Sequence, residues 1–431
     1  MCDAGGWGHE VNLQAPDFWQ GEDPTATRAP EVALDVAGMF AGIDAIGHDS
    51  DDQSDGYHRF AWTPEDRLLR EWFAEEAGDR GLDVREDAAG NQWAWWGTPN
   101  ADVPGISTGS HLDSVPDGGA FDGPLGVLSA LAAVRRLKDR GYVPPTPLAV
   151  LNTSDEEGAR FGIACFGTRV LTGVLDREDA LARTDARGIT LREALEAAGE
   201  DPEVYGADPG ALALTRAHLE LHVEQGYALA GTDEPVAVAS HIWPHGRWRI
   251  DVEGSPDHAG TTPLDRRNDA LLAALPFPAQ VRASAEEHDA RATVGRMLVE
   301  PGGTNVIPAH VTMWLDARAP GAEAVHAVLA DLDAWAPRQE SWTPATHFDA
   351  DLRALVGSVA GKDGAPAPVL GTAAGHDAGI LQEAGVETAM LFVRNQTGSS
   401  HTPAEFVTLA DCVDGVLALE RALVAMLEAR A

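Results

Sequence analysis

Apolar positions along this chain switch between two periods. Thr63-Pro64-Glu65-Asp66 has the marks of a helix start: a capping hydroxyl, proline at the first position and acids in the first turn. Leu69, Phe73 and Ala77 then recur every four residues, and Gly81 closes the segment. Short apolar runs at 92–96, 106–109, 148–152 and 219–223 read as strands. A helix between the second and third carries Leu128, Leu131 and Ala132 on one face. Such alternation predicts an α/β sheet covered on both faces. Near residue 243 the pattern changes. Over 247–253, Trp248, Ile250 and Val252 alternate with Arg249 and Asp251. A helix over 269–287, strands over 292–299 and 310–316, a helix over 322–335 and a short strand near 343–348 follow. That order predicts a small open-faced α+β sandwich inserted into the main domain. Alternation resumes near 349 and ends in a helix with Val413, Val416, Leu417 and Leu423 on one side. The expected organisation is a loose, period-free extension over 1–33, a main domain in two parts (34–242 and 349–431) and an insert over 243–348.

Length agrees with this division, since 431 residues exceed one ordinary core. No apolar run approaches the roughly 20 residues of a membrane helix. The N-terminus lacks a basic region followed by an apolar stretch, so no secretory leader is expected. Cys2, Cys165 and Cys412 are far apart and odd in number, which argues against a disulfide framework and for a reducing cytoplasm. The net charge of −37 argues against a nucleic-acid partner, which needs clustered cations. Lys138 and Lys362 are the only lysines. Coding bias explains that, and so does adaptation to high salt, where a strongly charged surface stays soluble.

Candidate chemistry lies at the ends of the predicted strands, a common place for ligands on an α/β sheet. His111 follows the 106–109 run, and Asp113 can accept its second ring N–H. Read alone, the two are an ordinary surface pair. Gly118-Gly119-Ala120-Phe121-Asp122-Gly123-Pro124 sets one carboxylate in a glycine-rich turn before a helix. It reads equally as a helix cap or as a carboxylate bridging two metals. Asp155-Glu156-Glu157 stands at the mouth of an apolar strand, where three acids repel unless something positive neutralises them. A metal would do so; a solvated helix start would also accommodate them. His222, in Leu219-Glu220-Leu221-His222-Val223-Glu224-Gln225-Gly226, has an ordinary reading as a buried, hydrogen-bonded histidine. His401 reads alone as a loop histidine.

Taken in order, His-x-Asp, Gly-x-x-Asp-Gly, Asp-Glu-Glu-Gly, His-x-Glu-Gln-Gly and Ser-His-x-Pro-x-Glu resemble the hydantoinase/carbamoylase family of amidohydrolases. That family is similar in fold to the co-catalytic zinc exopeptidases, and the likeness covers about residues 38–431. It implies a two-metal catalytic domain with an inserted lid and dimerisation domain. It also implies two divalent ions, manganese or zinc, with cobalt or nickel as alternatives. His111, His222, Glu157 and His401 would be terminal ligands and Asp122 the bridge. Glu156 would be the general base, and Asp113 would orient His111. The loop Gly254–Pro263 resembles one whose histidine, here His258, reaches a neighbouring subunit's site and stabilises the oxyanion, which implies a homodimer. Asn305 and Arg318 match a clamp for a substrate carboxylate, for which a planar guanidinium is suited. Gln225 matches a polar substrate contact.

The implied reaction is hydrolysis of a linear ureido-type C–N bond on a small carboxylate. His241–Arg249 and Met390–Asn395 resemble allantoate amidohydrolases, so allantoate, a purine-catabolic substrate yielding ammonia and carbon dioxide, is expected first. An N-carbamoyl-L-amino acid or β-ureidopropionate is expected second. Ser399 departs from the small apolar residue usual before the late Ser-His. A catalytically dead scaffold is disfavoured, because Glu156 and all five ligand positions are present. No Gly-x-Ser-x-Gly elbow accompanies a histidine and an acid, which disfavours a serine hydrolase.

Overall fold

The computed structural model describes residues 16–48 and 55–430. The chain divides into two compact units. Of the described residues, one holds those up to Ser240 with Phe348–Leu370 and those from Gly375 on; the other holds His241–His347 with Gly371–Ala374. In chain order the strands are β1 (Asp83–Glu86), β2 (Gln92–Trp96), β3 (Gly105–His111), β4 (Leu148–Thr153), β5 (Thr215–Val223) and β6 (Val236–Ile242). They continue with β7 (His245–Glu253), β8 (Arg291–Glu300), β9 (His310–Arg318), β10 (Arg338–Thr343), β11 (Thr346–His347), β12 (Val369–Thr372) and β13 (Glu387–Val393).

The larger unit is built on a mixed sheet in the order β1-β2-β4-β3-β5-β13-β6. Its centre is parallel (β4 with β3, β3 with β5, β5 with β13), and its flanks are antiparallel. Every residue of β3 and β4 is buried, as expected for parallel strands covered on both faces. This explains their continuous apolar or small composition, which lacks a period of two. The helix Pro124–Asp139 packs on β3 and β5 and against the last helix, Leu409–Ala429. Thr63 caps Pro64–Asp79 by accepting the Asp66 N–H at 3.4 Å. The topology therefore points the C-terminal ends of β3, β4, β5 and β13 the same way.

The smaller unit is a four-stranded antiparallel sheet in the order β10-β7-β9-β8. Helices Ala270–Ala274, Pro276–Glu287 and Ala322–Asp331 share its core with Trp248, Ile250, Phe277, Val311, Met313 and Leu315. The single helix expected over 269–287 is divided at Leu275, because Pro276 has no N–H to continue the ladder. The short strand expected near 343–348 is present as β11, but it pairs with the end of β6; the sandwich sheet is closed by β10 (Arg338–Thr343), which pairs with β7. The other face of this sheet carries His245, Arg247 and Arg249 from β7 and Trp314, Asp316 and Arg318 from β9. That Gly371–Ala374 joins this unit was not visible in the pattern.

The loose extension needs revision where it is described; residues 1–15, including Cys2, lie outside the described residues. Trp19 is buried, and its indole N–H donates to the Val407 carbonyl at 2.9 Å. Phe18, Trp19, Phe40 and Phe121 form one aromatic cluster with centroid separations of 5.0–5.9 Å. Isolated aromatics on short 3₁₀ turns leave no period, yet each buries a large area. Phe121 precedes Asp122, so this segment packs beneath the glycine-rich turn. Trp19→Ala should cost about 3–5 kcal/mol of stability in urea unfolding. A midpoint equal to that of the parent would show the cluster to be dispensable.

Candidate metal centre

Five chain segments meet at the strand ends of the larger unit. His111 is the last residue of β3. His222 lies one residue from the end of β5. Asp155-Glu156-Glu157 follows β4, Asp122 precedes the helix Pro124–Asp139, and His401 lies in the loop after β13. Asp122 is the hub. One of its oxygens lies 3.1 Å from His222 Nε2 and 3.7 Å from His111 Nε2. The other lies 3.6 Å from His401 Nε2, and that nitrogen is 3.4 Å from a Glu157 oxygen. Two donor groups of metal-binding size thus share Asp122: His111/Asp122/His222 and Asp122/Glu157/His401. Gly123 has φ +86°, and a Cβ there would fall 2.4 Å from the His111 ring, so only glycine allows the turn this close.

The imidazoles are aimed from behind. His222 donates from Nδ1 to the Val223 carbonyl at 2.9 Å, and His111 Nδ1 faces the Asp113 carbonyl at 3.1 Å. Each Nε2 is left toward the cluster. Asp113 backs His111 with two groups: its backbone carbonyl is the nearer contact, and its carboxylate lies 3.5 Å from Nδ1. That carboxylate accepts the Glu156 and Glu157 N–H groups, both at 3.1 Å, and so shapes the acid turn. Glu156 is buried, with one oxygen 3.9 Å from His111 Nε2. Gln225 donates to Asp122 at 2.8 Å and to Ser400 at 3.0 Å, lying beside the cluster from the start.

Several residues around the cluster carried no assignment from sequence. Ser400 donates to Asp122 at 3.0 Å. Glu405 accepts the Phe121 and Asp122 N–H groups at 3.0 and 2.8 Å, fixing the turn. Both belong to the late Ser-His-x-Pro-x-Glu motif, which was the available signal. His376 is buried with its ring 4.6 Å from that of His222, and Cys165 Sγ lies 3.3 Å from Glu156. His376 follows an irregular Gly-rich stretch that signals nothing by itself. His401, Asp155 and Cys165 all have positive φ, a cost that persists where the surroundings over-determine the backbone.

Burial, then the Asp122 charge, pushes the Glu157 carboxyl up to about 9. Burial also raises Glu156 well above its usual range, with Asp377 and Glu157 adding to it against His111. Burial likewise works against the Asp122 carboxylate, but the imidazoles of His222, His111 and His401 outweigh it and hold the group ionised. Buried acids this crowded call for a cation, and a mixed imidazole–carboxylate donor set fits a divalent transition metal.

The remaining expected residues lie in the smaller unit. His258 is exposed, its Nδ1 accepting the Gly260 N–H at 3.0 Å. It bridges to Val306, and the Asn305 carbonyl accepts the Ala259 N–H, which brings the two loops together. Arg318 does not stand free. Its Nε and Nη2 donate to the two Asp316 oxygens at 2.7 and 3.1 Å.

This fold and donor set define a metal-dependent hydrolase, and comparison with known proteins names its kind. The model of peptidase family M20/M25/M40 matches residues 108–425. An N-carbamoyl-L-amino acid amidohydrolase of Geobacillus stearothermophilus is 35% identical over 387 residues, covering 86% of this chain and 93% of its own. A ureidoglycolate hydrolase of Arabidopsis thaliana is 34% identical over 301 residues, covering 67% and 63%. The crystal structure of a hydantoinase/carbamoylase family amidase from Burkholderia ambifaria is 33% identical with a TM-score of 0.77, covering 93% and 97%. The chain belongs to the M20/M25/M40 peptidase family, among its hydantoinase/carbamoylase amidohydrolases.

The raised Glu157 carboxyl sets the sign of a pH effect. An unfolded chain ionises this group near 4.5, so the ion-free fold loses stability as pH climbs from there toward about 9. A bound cation removes that penalty. Dialysis against a chelator should therefore lower the melting temperature, by an amount that widens across this window. Equal melting with and without chelator at every pH would remove the metal centre.

Proposed function

We propose that this enzyme hydrolyses the terminal ureido C–N bond of a small carboxylate, using two divalent ions held by His111, Asp122, Glu157, His222 and His401. The observation that carries this reading is the pair of three-residue donor groups sharing Asp122, with the buried Glu156 against one of them. The ions would supply Lewis acidity, lowering the pKa of water and polarising the ureido carbonyl. Glu156 accepts the proton of the attacking water and returns it to the leaving nitrogen, a role suited to a carboxylate whose basicity burial has raised. The balance is R–NH–CO–NH₂ plus water to R–NH₂, ammonia and carbon dioxide. Gln225, Asn305 and Arg318 bind substrate, with Arg318 taking the carboxylate, and His258 stabilises the oxyanion of a neighbouring subunit. The metal is manganese or zinc, since the donor set suits both.

An N-carbamoyl-L-amino acid leads as substrate, supported by relatives of that name at 35% and 32% identity. Allantoate is the second reading, favoured by His241–Arg249 and Met390–Asn395. Both are ureido carboxylates, so the same machinery serves either. A homodimer is supported by β8, which is an edge strand of its sheet with Met297 and Leu298 exposed. Among the described residues no helix is long and apolar enough to cross a membrane. The buried free thiols of Cys165 and Cys412 are consistent with a cytoplasmic enzyme.

Ammonia release with manganese should be measured on N-carbamoyl-L-amino acids and allantoate, for the parent and Glu156→Gln. The parent should turn over at least one, and the variant should keep its metal yet lose about 10²-fold or more of kcat. Near-normal turnover by the variant would remove Glu156 as base, and an active metal-free parent would end the whole reading. Sedimentation should give twice the chain mass; a monomer active at high dilution would remove the shared role of His258.

A further inference from the structure

We propose that Asp316 is a positioning residue for the carboxylate clamp, holding the Arg318 guanidinium at one fixed angle so that its remaining N–H groups meet substrate; this rests on Arg318 being the clamp. Asp316 and Arg318 stand two residues apart on β9, on the sheet face opposite the helices. Asp316 takes Nε and Nη2 of Arg318 side-on at 2.7 and 3.1 Å. Nη1 donates to the Ala373 carbonyl at 2.9 Å. That carbonyl belongs to a segment itself anchored, through Thr372, to the Trp243 N–H at 2.8 Å. An arginine has five N–H donors. Three are committed here, and one remains on each terminal nitrogen.

Asp316 could act on substrate in two opposite ways. Its negative charge repels a carboxylate brought to Arg318. Its two hydrogen bonds also remove the rotamer freedom that a long arginine would otherwise lose on binding. Both side chains are 30% exposed, so water screens the repulsion. Arg247 Nε, 3.5 Å from the second Asp316 oxygen, offsets the charge further. The orienting effect therefore outweighs the repulsion.

The test uses the full-length enzyme and whichever ureido carboxylate it turns over, beside the carboxamide analogue of that substrate. Asp316→Ala should raise KM for the carboxylate about fivefold to tenfold, more than it lowers kcat. Asp316→Asn, which keeps one acceptor oxygen and the side-chain volume, should fall between the parent and Asp316→Ala. Because Asp316 acts through Arg318, adding Asp316→Ala to Arg318→Ala should cost little more than Arg318→Ala alone. A KM that stays level or falls in both Asp316 variants, or fully additive losses in the double variant, would overturn the proposal. Should Asp316→Ala not fold, the near-isosteric Asp316→Asn carries the same comparison. Arg318→Ala separates the two readings. If it harms the carboxylate and carboxamide equally, the clamp falls and this proposal with it. If it harms the carboxylate selectively while Asp316 variants do not, this proposal falls alone.

Discussion

Concentrated negative charge under cover is the constraint on which the rest depends. Asp122, Glu156 and Glu157 are brought together at the ends of buried strands, where water cannot solvate them freely. Three imidazoles offset part of that charge, and divalent ions would offset more. A fold that carries such a cluster must hold it rigidly, because relaxation would let the acids drift apart and lose the donor geometry.

Rigidity comes from layers that surround the cluster. The parallel strands β3, β4 and β5 are buried throughout or nearly so, and their ends fix His111, the acid turn and His222. Behind these, Asp113 binds the amides of the acid turn and Glu405 binds those of the glycine-rich turn. Beneath the latter, Phe18, Trp19 and Phe40 pack on Phe121. A segment far from the site in sequence thereby supports the bridging carboxylate. The positive φ of Asp155, Cys165 and His401 belongs to the same design: strained residues are tolerated where surrounding contacts leave no alternative.

The smaller unit applies the same logic to a single cation. In a chain of net charge −37, a free arginine would have many carboxylates to choose from. Arg318 is instead held by one acid on its own strand and one backbone carbonyl, with donors to spare. Held in this way, the guanidinium keeps one N–H on each terminal nitrogen for a ligand.

The chain's pattern alone determined the alternation of strands and helices, the inserted sandwich and the order of the motif residues. Each of these is written in local period, caps and spacing, which need no partner to be read. Singly, His111, His222 and His401 remained ordinary histidines, because a lone imidazole looks the same whether it meets a metal or a carbonyl. Only the tertiary structure decided that their Nε2 atoms converge on Asp122, that Asp113 serves the acid turn through its carboxylate, and that Ser400, Glu405 and His376 adjoin the cluster. It alone also decided that Trp19 is core and that Asp316 holds Arg318. These are contacts between residues tens to hundreds of positions apart, or choices among nearby acceptors, and neither leaves a trace in local sequence.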